Sequence, residues 1–302
     1  MEGNKLDITK YPIYPFIAFF NMFIILTLYS IIGFIGMYIY FNIFNGTFVL
    51  VSMGILLGFI FQWAYNACHE CLHRTFVKSK KVNEFLGVLL STITILNFNM
   101  FKTYHLQHHA NTFGEYETEP IEKNIGSFGE YLLNFIVPLF WVDNWMQSFN
   151  TFRNKFPLNI YGKKPPRVSK EQRPKIIRDG FILLTFLGGI VTLTVYYPFW
   201  MLFLYWIPLY TSFIFDFYFL LPRHYNVDRI PGINYQNAQT TISNPITRFF
   251  ICNINYHTEH HINPGIAQHH LPKIHEILKK DMEHIQRSYM KFHLGLAKSY
   301  FR

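Results

Sequence analysis

Eight histidines of this chain fall into three tight clusters: His69-Glu-Cys-Leu-His73, His105-Leu-Gln-His108-His109 and His257-Thr-Glu-His260-His261. Neutral imidazole suits zinc, copper, iron and nickel, and residues three and four apart share one face of a helix. Each cluster is therefore expected to aim its rings at one point. Any one of these histidines alone would be an ordinary interfacial residue, but the patterns HxxxH, HxxHH and HxxHH in one chain point to metal. Ligand count narrows the chemistry. A structural zinc takes four ligands and a catalytic zinc usually three plus water, whereas eight or nine nitrogens suit two ions with positions left open for an exogenous molecule. Two redox-active irons that bind dioxygen are the economical assignment.

Charge and hydropathy indicate what positions the clusters. Phe16 to Phe44 and Thr47 to Ala67 carry no charge and are separated only by the turn pair Asn45-Gly46. At about 1.5 Å per residue, each run is long enough to cross a hydrocarbon core of roughly 30 Å. Gly180 to Tyr197 and Phe199 to Leu221 make a second such pair, joined near Pro198, with Asp216 as the one charge in its interior. No Lys or Arg occurs from Tyr11 to His73 or from Asp179 to Pro222. The positive-inside rule then puts the N-terminus, the middle segment and the C-terminal segment on the cytoplasmic side.

The expected architecture is an all-α, multi-pass integral membrane protein forming a single domain over residues 1–302. Its transmembrane hairpins cover about 16–67 and 180–221, and its cytoplasmic segments, about 68–179 and 222–302, form a helical cap carrying the His-rich diiron site. Every cluster lies at or beyond the cytoplasmic end of a span. Phe85 to Leu96 and Tyr131 to Trp141 are too short to cross and are expected as interfacial or buried helices. Met1 to Lys10 is polar and the apolar run after it is too long for a signal-peptide core, so the first helix is expected to stay as its own anchor.

Composition excludes other classes. Half of the 302 residues are hydrophobic and 19% are aromatic, against 15% charged, which rules out an ordinary soluble globule, disorder and a coiled coil. The net charge of +9 sits in the loops that set topology and is not a nucleic-acid footprint. Three cysteines do not make a disulfide framework; Cys68 and Cys71, which flank the first cluster, are expected as small buried residues. Lys163 to Arg178 holds seven basic residues, suited to anionic headgroups or to an acidic electron carrier.

Asn255-Tyr256-His257-Thr258-Glu259-His260-His261, followed by Pro264, His270-Leu271-Pro272 and His275-Glu276, resembles the membrane fatty acid desaturase superfamily, which includes related hydroxylases and carotenoid ketolases. The resemblance runs from about Thr47 to His275, and the second cluster continues in the family manner with Asn111 and Glu119-Pro120. It implies an oxygen-dependent diiron oxidoreductase whose iron ligands are His69, His73, His105, His108, His109, His257, His260 and His261. A ninth histidine between the second and third clusters is usual, and His224, in Pro222-Arg223-His224-Tyr225-Asn226, matches it. Two neighbours depart from the pattern: Arg223 stands where some relatives have an acidic residue, and Leu220 where acyl-CoA desaturases have an asparagine.

Ligating imidazoles commonly donate their second N–H to a carboxylate or carbonyl. Glu70, Glu115, Glu119, Asp228, Glu259 and Glu276 stand near the clusters, and sequence does not separate such partners from solvated charges. Asp216, two helical turns from His224, is expected to orient a ligand, to line a tunnel mouth or to bond a nearby tyrosine. His269, His270, His275, His284 and His293 are expected as surface or packing residues.

Removing hydrogen from an unactivated C–H bond is beyond any amino-acid side chain, so metal and dioxygen must supply the oxidant. The favoured function is desaturation of a fatty acyl chain of a membrane lipid. The alternative is a hydroxylase or ketolase of a hydrocarbon, lipid or carotenoid on the same scaffold. Electrons are expected from a separate carrier of ferredoxin or cytochrome b5 type, since no haem-binding segment is evident, and His257 stands where front-end desaturases have glutamine. A zinc-dependent hydrolase needs only three ligands, and a transporter places its ligands near the bilayer midplane, so both are less favoured.

Overall fold

The structure, a computed structural model, describes residues 8–42, 46–119, 125–155, 157–160, 162–232 and 235–302. Asn45 of the expected turn pair, the end of the Phe16–Phe44 run and Pro120 of the Glu119-Pro120 pair lie outside the described residues. Among the described residues, four helical stretches are each long and apolar enough to cross a membrane: α1 (Pro15–Asn42), α2 (Gly46–Leu72), α7 (Arg173–Tyr196) and the stretch Pro198–Arg223. The last is built from α8 (Pro198–Met201), a π-helical turn (Leu202–Trp206), α9 (Ile207–Leu220) and a 3-10 turn (Leu221–Arg223). Pro208 accounts for the irregularity, since its missing N–H and its ring displace the ladder one turn back.

Apolar faces of α1 and α7 point outward, with Phe16, Phe23, Phe34, Leu184 and Val195 each more than half exposed. Such faces suit lipid better than water. α2 is central. It packs against α1, α3 (Lys80–Ile93) and α9, and residues 60–72 are all buried. Gly58 lets α9 approach closely, since a Cβ there would collide with the Thr211 side chain.

Two boundaries differ from the sequence expectation. α7 starts at Arg173, not near 180, because its charged first turns are paired: Lys175 and Arg178 reach Glu84 at 3.5 and 3.3 Å, and the Asp179 carboxylate accepts from the backbone and side chain of Asn99. The apolar run Tyr131 to Trp141 is two helices, α5 (Phe128–Ile136) and α6 (Leu139–Phe152), since the residue before Pro138 is driven to extended backbone.

α3 and α4 (Phe98–Asn111) meet at a 105° elbow that turns the chain back under the spans. Asn97 fixes this elbow. Its side chain caps α4 by accepting from Met100 N, its amide donates to the Ile176 carbonyl at 2.8 Å, and its own N–H donates to Asn144 at 3.0 Å. Trp141 and Trp145 add indole hydrogen bonds to the Thr94 and Ile95 carbonyls. Gly87 seats the fully buried Phe98 ring against α3; a Cβ there would overlap the ring.

Beyond the last span, the chain forms α10 (Pro245–Phe250), α11 (His257–Ile262), α12 (Leu271–Leu278) and α13 (Tyr289–Ser299), with a short parallel pair, β1 (Thr240–Thr241) and β2 (Ile285–Gln286). Left-handed backbone at Cys252 and Asn253 (φ 50° and 59°) makes the tight turn between α10 and α11. The Asn255 amide donates to the Thr241 carbonyl and Thr258 donates to the Ala238 carbonyl, which pins α11 beside β1.

Candidate metal centre

The nine histidines meet in two adjoining groups. His69, His73, His105, His109 and His260 form one, and His108, His224, His257 and His261 form the other; within each group, one ring nitrogen per residue lies within 4.8 Å of all the others. All are buried except His73, which is partly so. One sequence expectation needs correction here. The second and third clusters do not each aim at a single point. In both, the i and i+4 histidines share a face and serve one group, while the i+3 histidine, about 60° further round the helix, serves the other. His105 and His109 thus join His69 and His73 while His108 crosses to the second group; His257 and His261 build that second group while His260 crosses to the first.

Four of the imidazoles are oriented from behind. His105 Nδ1 faces Glu119 Oε1 at 2.9 Å, His108 Nδ1 lies 3.0 Å from both oxygens of Glu117, and His224 Nδ1 donates to the Asn237 carbonyl at 2.8 Å. In the neutral ring, donation outward fixes the Nδ1–H tautomer and leaves the Nε2 lone pair pointing inward. His69 Nδ1 meets the Gln268 side-chain amide at 3.0 Å, and the Gln268 N–H donates to Glu70 Oε1. Glu117 is itself held, accepting from the Phe113 and Glu119 N–H groups.

Inward-facing nitrogens approach one another closely: 3.0 Å between His105 and His109, 3.1 Å between His109 and His260, 3.0 Å between His224 and His257, and 3.3 Å between His108 and His261, all Nε2 to Nε2. Lone pairs converging at that range repel unless a metal ion, or a proton on one of the two rings, lies among them. Two imidazole nitrogens each about 2.1 Å from one ion are about 3.0 Å apart at right angles and about 3.4 Å apart at the tetrahedral angle. The observed edges fall in that interval. Buried Nε2 atoms of His69 and His73 also lack any hydrogen-bond partner, so the donor set fits two first-row transition ions.

Burial sets the protonation. Desolvation first, and then the neighbouring rings, hold His257, His260, His261, His109 and His73 well below the ordinary histidine value, which keeps them neutral as ligands must be. Burial, then His108, lowers His224 to about 3. For His108 burial opposes the charged form, but Glu117 and Glu119 outweigh it and raise the group to about 9.

Other sequence candidates separate clearly. Glu259 is fully buried, accepting from His275 Nδ1 at 2.5 Å and from the Thr240 hydroxyl; it braces α11 without belonging to either group. Glu115, Asp228 and Glu276 are exposed partners of Lys164, His284 and Lys279. Asp216 bonds no histidine or tyrosine; its contact is the Gln62 amide at 3.4 Å, and it lines a cavity. His293 bridges the Tyr131 hydroxyl and the Tyr218 carbonyl, and His270 donates to the Pro12 carbonyl. Cys68 and Cys71 are buried free thiols. Sequence reasoning passed over Glu117, Asn237 and Gln268. For Glu117 a signal existed, since alternate residues 115, 117 and 119 are all glutamate, but only the turn at Thr112 and Phe113 decides which one faces His108.

A cavity of about 140 Å³ opens on both groups, reaching His69, His105, His224 and His257. Its far wall is apolar, from Val137, Pro138 and Phe140 on one side to Phe213, Phe217 and Leu221 on the other. Such a wall is suited to an apolar ligand, and the histidines stand at its polar end.

Comparison with known proteins agrees with this chemistry. The profile of the family described as fatty acid desaturase matches residues 45–293. An sn-1 acyl-lipid omega-3 desaturase (ferredoxin) of Synechocystis sp. is 24% identical over 255 residues, covering 74% of this chain and 66% of that protein. An endoplasmic-reticulum omega-3 fatty acid desaturase of Vigna radiata var. radiata is 25% identical over 247 residues, covering 71% and 60%. A fatty acid conjugase (FAC2 B) of Calendula officinalis is 25% identical over 253 residues, covering 76% and 66%. The match thus spans less than two thirds of each relative's own length.

Proposed function

Because the chain belongs to the fatty acid desaturase family, we propose that it is an integral membrane, oxygen-dependent oxidoreductase that introduces a double bond into a fatty acyl chain of a lipid. Convergence of nine histidines into adjoining groups of five and four, at the end of an apolar slot, carries this reading. His69, His73, His105, His109 and His260 would hold one iron, and His108, His224, His257 and His261 the other. When bound, the two irons supply the one chemistry that side chains lack, activation of dioxygen for attack on an unactivated C–H bond. The overall balance is CH2–CH2 plus dioxygen, two electrons and two protons, giving CH=CH and two waters. The electrons require a separate donor, and the ferredoxin in the name of the Synechocystis relative favours a carrier of that type here.

The protein's own work is placement. Residues 60–72 of α2 and the Asn97 elbow fix the ligand-bearing helices, Glu117, Glu119 and Asn237 fix ring orientation, and the wall from Val137 to Phe140 excludes water from the chain. We place α1, α2, α7 and the Pro198–Arg223 stretch across the bilayer as two hairpins of a single domain, with the histidine groups on the cytoplasmic side where the basic segments lie.

Expression in a lipid-producing host, with mass spectrometry of total lipids, tests the reading. New unsaturated acyl chains are expected; hydroxylated or keto products alone would reassign the protein to the related branch of the family, and an unchanged lipid profile would count against both.

His108 gives a proton readout. Raised to about 9, it carries a proton at pH 7.5 that must leave before Nε2 can bind a cation. Loading the second group at that pH should therefore release about one proton, measured by calorimetry in buffers of different ionisation enthalpy. Affinity should climb as pH rises toward 9 and flatten above it. In Glu117→Gln the release should fall toward zero; undiminished release would show that Glu117 does not control this ring.

A further inference from the structure

Arg223 is 95% buried in effect, with 5% of its surface exposed, and it lines the cavity beside His224. Its Nε and Nη2 have no hydrogen-bond partner among the described residues. A guanidinium is charged at any working pH and offers five N–H donors in a fixed fork. Burying it with open donors costs several kcal/mol unless something answers them, so buried arginines are ordinarily paired. The backbone leaves little freedom to escape: the Arg223 carbonyl accepts from Gln239 N at 2.9 Å and the side chain follows the end of the fourth span.

Asp216 lines the same cavity and attracts the Arg223 charge, yet the two form no ion pair, and Asp216 holds only the long contact from Gln62. The polar end of an otherwise apolar slot thus presents a cation with free donors and an anion with free acceptor capacity. A carboxylate or phosphate would satisfy Arg223 but be repelled by Asp216. A neutral oxygen satisfies both rules: a carbonyl accepts from the guanidinium, and a hydroxyl accepts from it while donating to the carboxylate.

Resting on the desaturase reading, we propose that Arg223, supported by Asp216, is a specificity-determining residue that binds a neutral oxygen of the substrate, a carbonyl or hydroxyl only a few carbons from the carbons that react. Since Arg223 and His224 are consecutive and line one cavity, that oxygen sets the register of the chain against the histidine groups. Two sources share this chemistry, the acyl carbonyl itself and an oxygen function already placed along the chain.

The test supplies the intact protein in membranes, with its electron donor, a saturated long-chain acyl substrate and a series of its hydroxy derivatives, the hydroxyl moved one carbon at a time. In the unsubstituted protein a single product position is expected. A double bond at constant distance from the hydroxyl identifies the chain oxygen as the anchor; one at constant distance from the acyl carbon identifies the carbonyl. Arg223→Met should scatter the product over several positions and lower kcat/KM about tenfold or more, chiefly through KM, while metal content stays unchanged. Arg223→Lys should recover part of the selectivity. A single unchanged product position and unchanged KM in Arg223→Met overturn the inference while leaving the desaturase reading intact. Scattered product accompanied by loss of metal also overturns it, since Arg223 would then be supporting the ligands. No oxidised product from any chain with the unsubstituted protein overturns the desaturase reading and the inference with it.

Discussion

His108→Ala is expected to abolish the new lipid product, with activity at least about a hundredfold down, and to reduce the metal content from two ions per chain to one. His108 is the single histidine that the α4 cluster sends to the second group, and its Nε2 lies 3.3 Å from His261 Nε2. Removing it leaves three histidines and takes the imidazole partner from a buried Glu117. An exposed or packing histidine would give a small effect on yield and none on metal stoichiometry. His293→Ala, which breaks buried hydrogen bonds far from both groups, supplies that contrast: it should lower stability and leave two ions bound. Unchanged product in His108→Ala would show that the second group is dispensable.

The carboxylates behind the ligands give the second large effect, and the geometry makes it selective. Among the clustered histidines, Glu117 bonds His108 of the second group, whereas Glu119 bonds His105 of the first. Partners of this kind are worth about 10- to 100-fold in metal affinity or activity. Glu117→Ala should deplete the second group and Glu119→Ala the first, each giving close to one ion per chain at limiting iron; the double variant should hold none. Since the two groups differ in ligand number, five against four, the remaining ion should have a different spectroscopic signature in each single variant. Identical signatures, or loss of both ions from either variant, would contradict the assignment of carboxylates to groups.

Much of this was legible from residue types. Charge-free runs gave the four long helices because nothing but side-chain hydropathy is needed to recognise them, and the histidine spacings gave residues that converge because i, i+3 and i+4 are local properties of a helix. The same local rule misled when extended to whole clusters. His105, His108 and His109 share a broad face, but that face looks onto two centres, and the division between them depends on where α11 comes to rest against α4, which no short segment encodes. The start of α7 was hidden for a related reason. Its first two turns are charged, and only the distant partners Glu84 and Asn99 make them part of the helix.

Second contacts were the least visible. Glu70 and Glu259 look alike in sequence, each one residue from a cluster histidine, yet one receives the Gln268 N–H and the other accepts from His275 and Thr240. Arg223 stood out only as a departure from the family pattern; its meaning came from burial and from donors left open in the cavity wall. The 105° elbow at Asn97 likewise depends on Asn144 and Ile176, contributed by helices that follow it by dozens of residues.

Nine imidazoles from four parts of the chain converge, and the proposal that they hold two irons consuming dioxygen is open to direct test. Metal analysis of the purified protein, combined with oxygen uptake in the presence of lipid substrate and reduced ferredoxin, tests it most directly. Two irons per chain are expected, with oxygen uptake that matches the unsaturated product mole for mole. One zinc per chain with no oxygen uptake would contradict it.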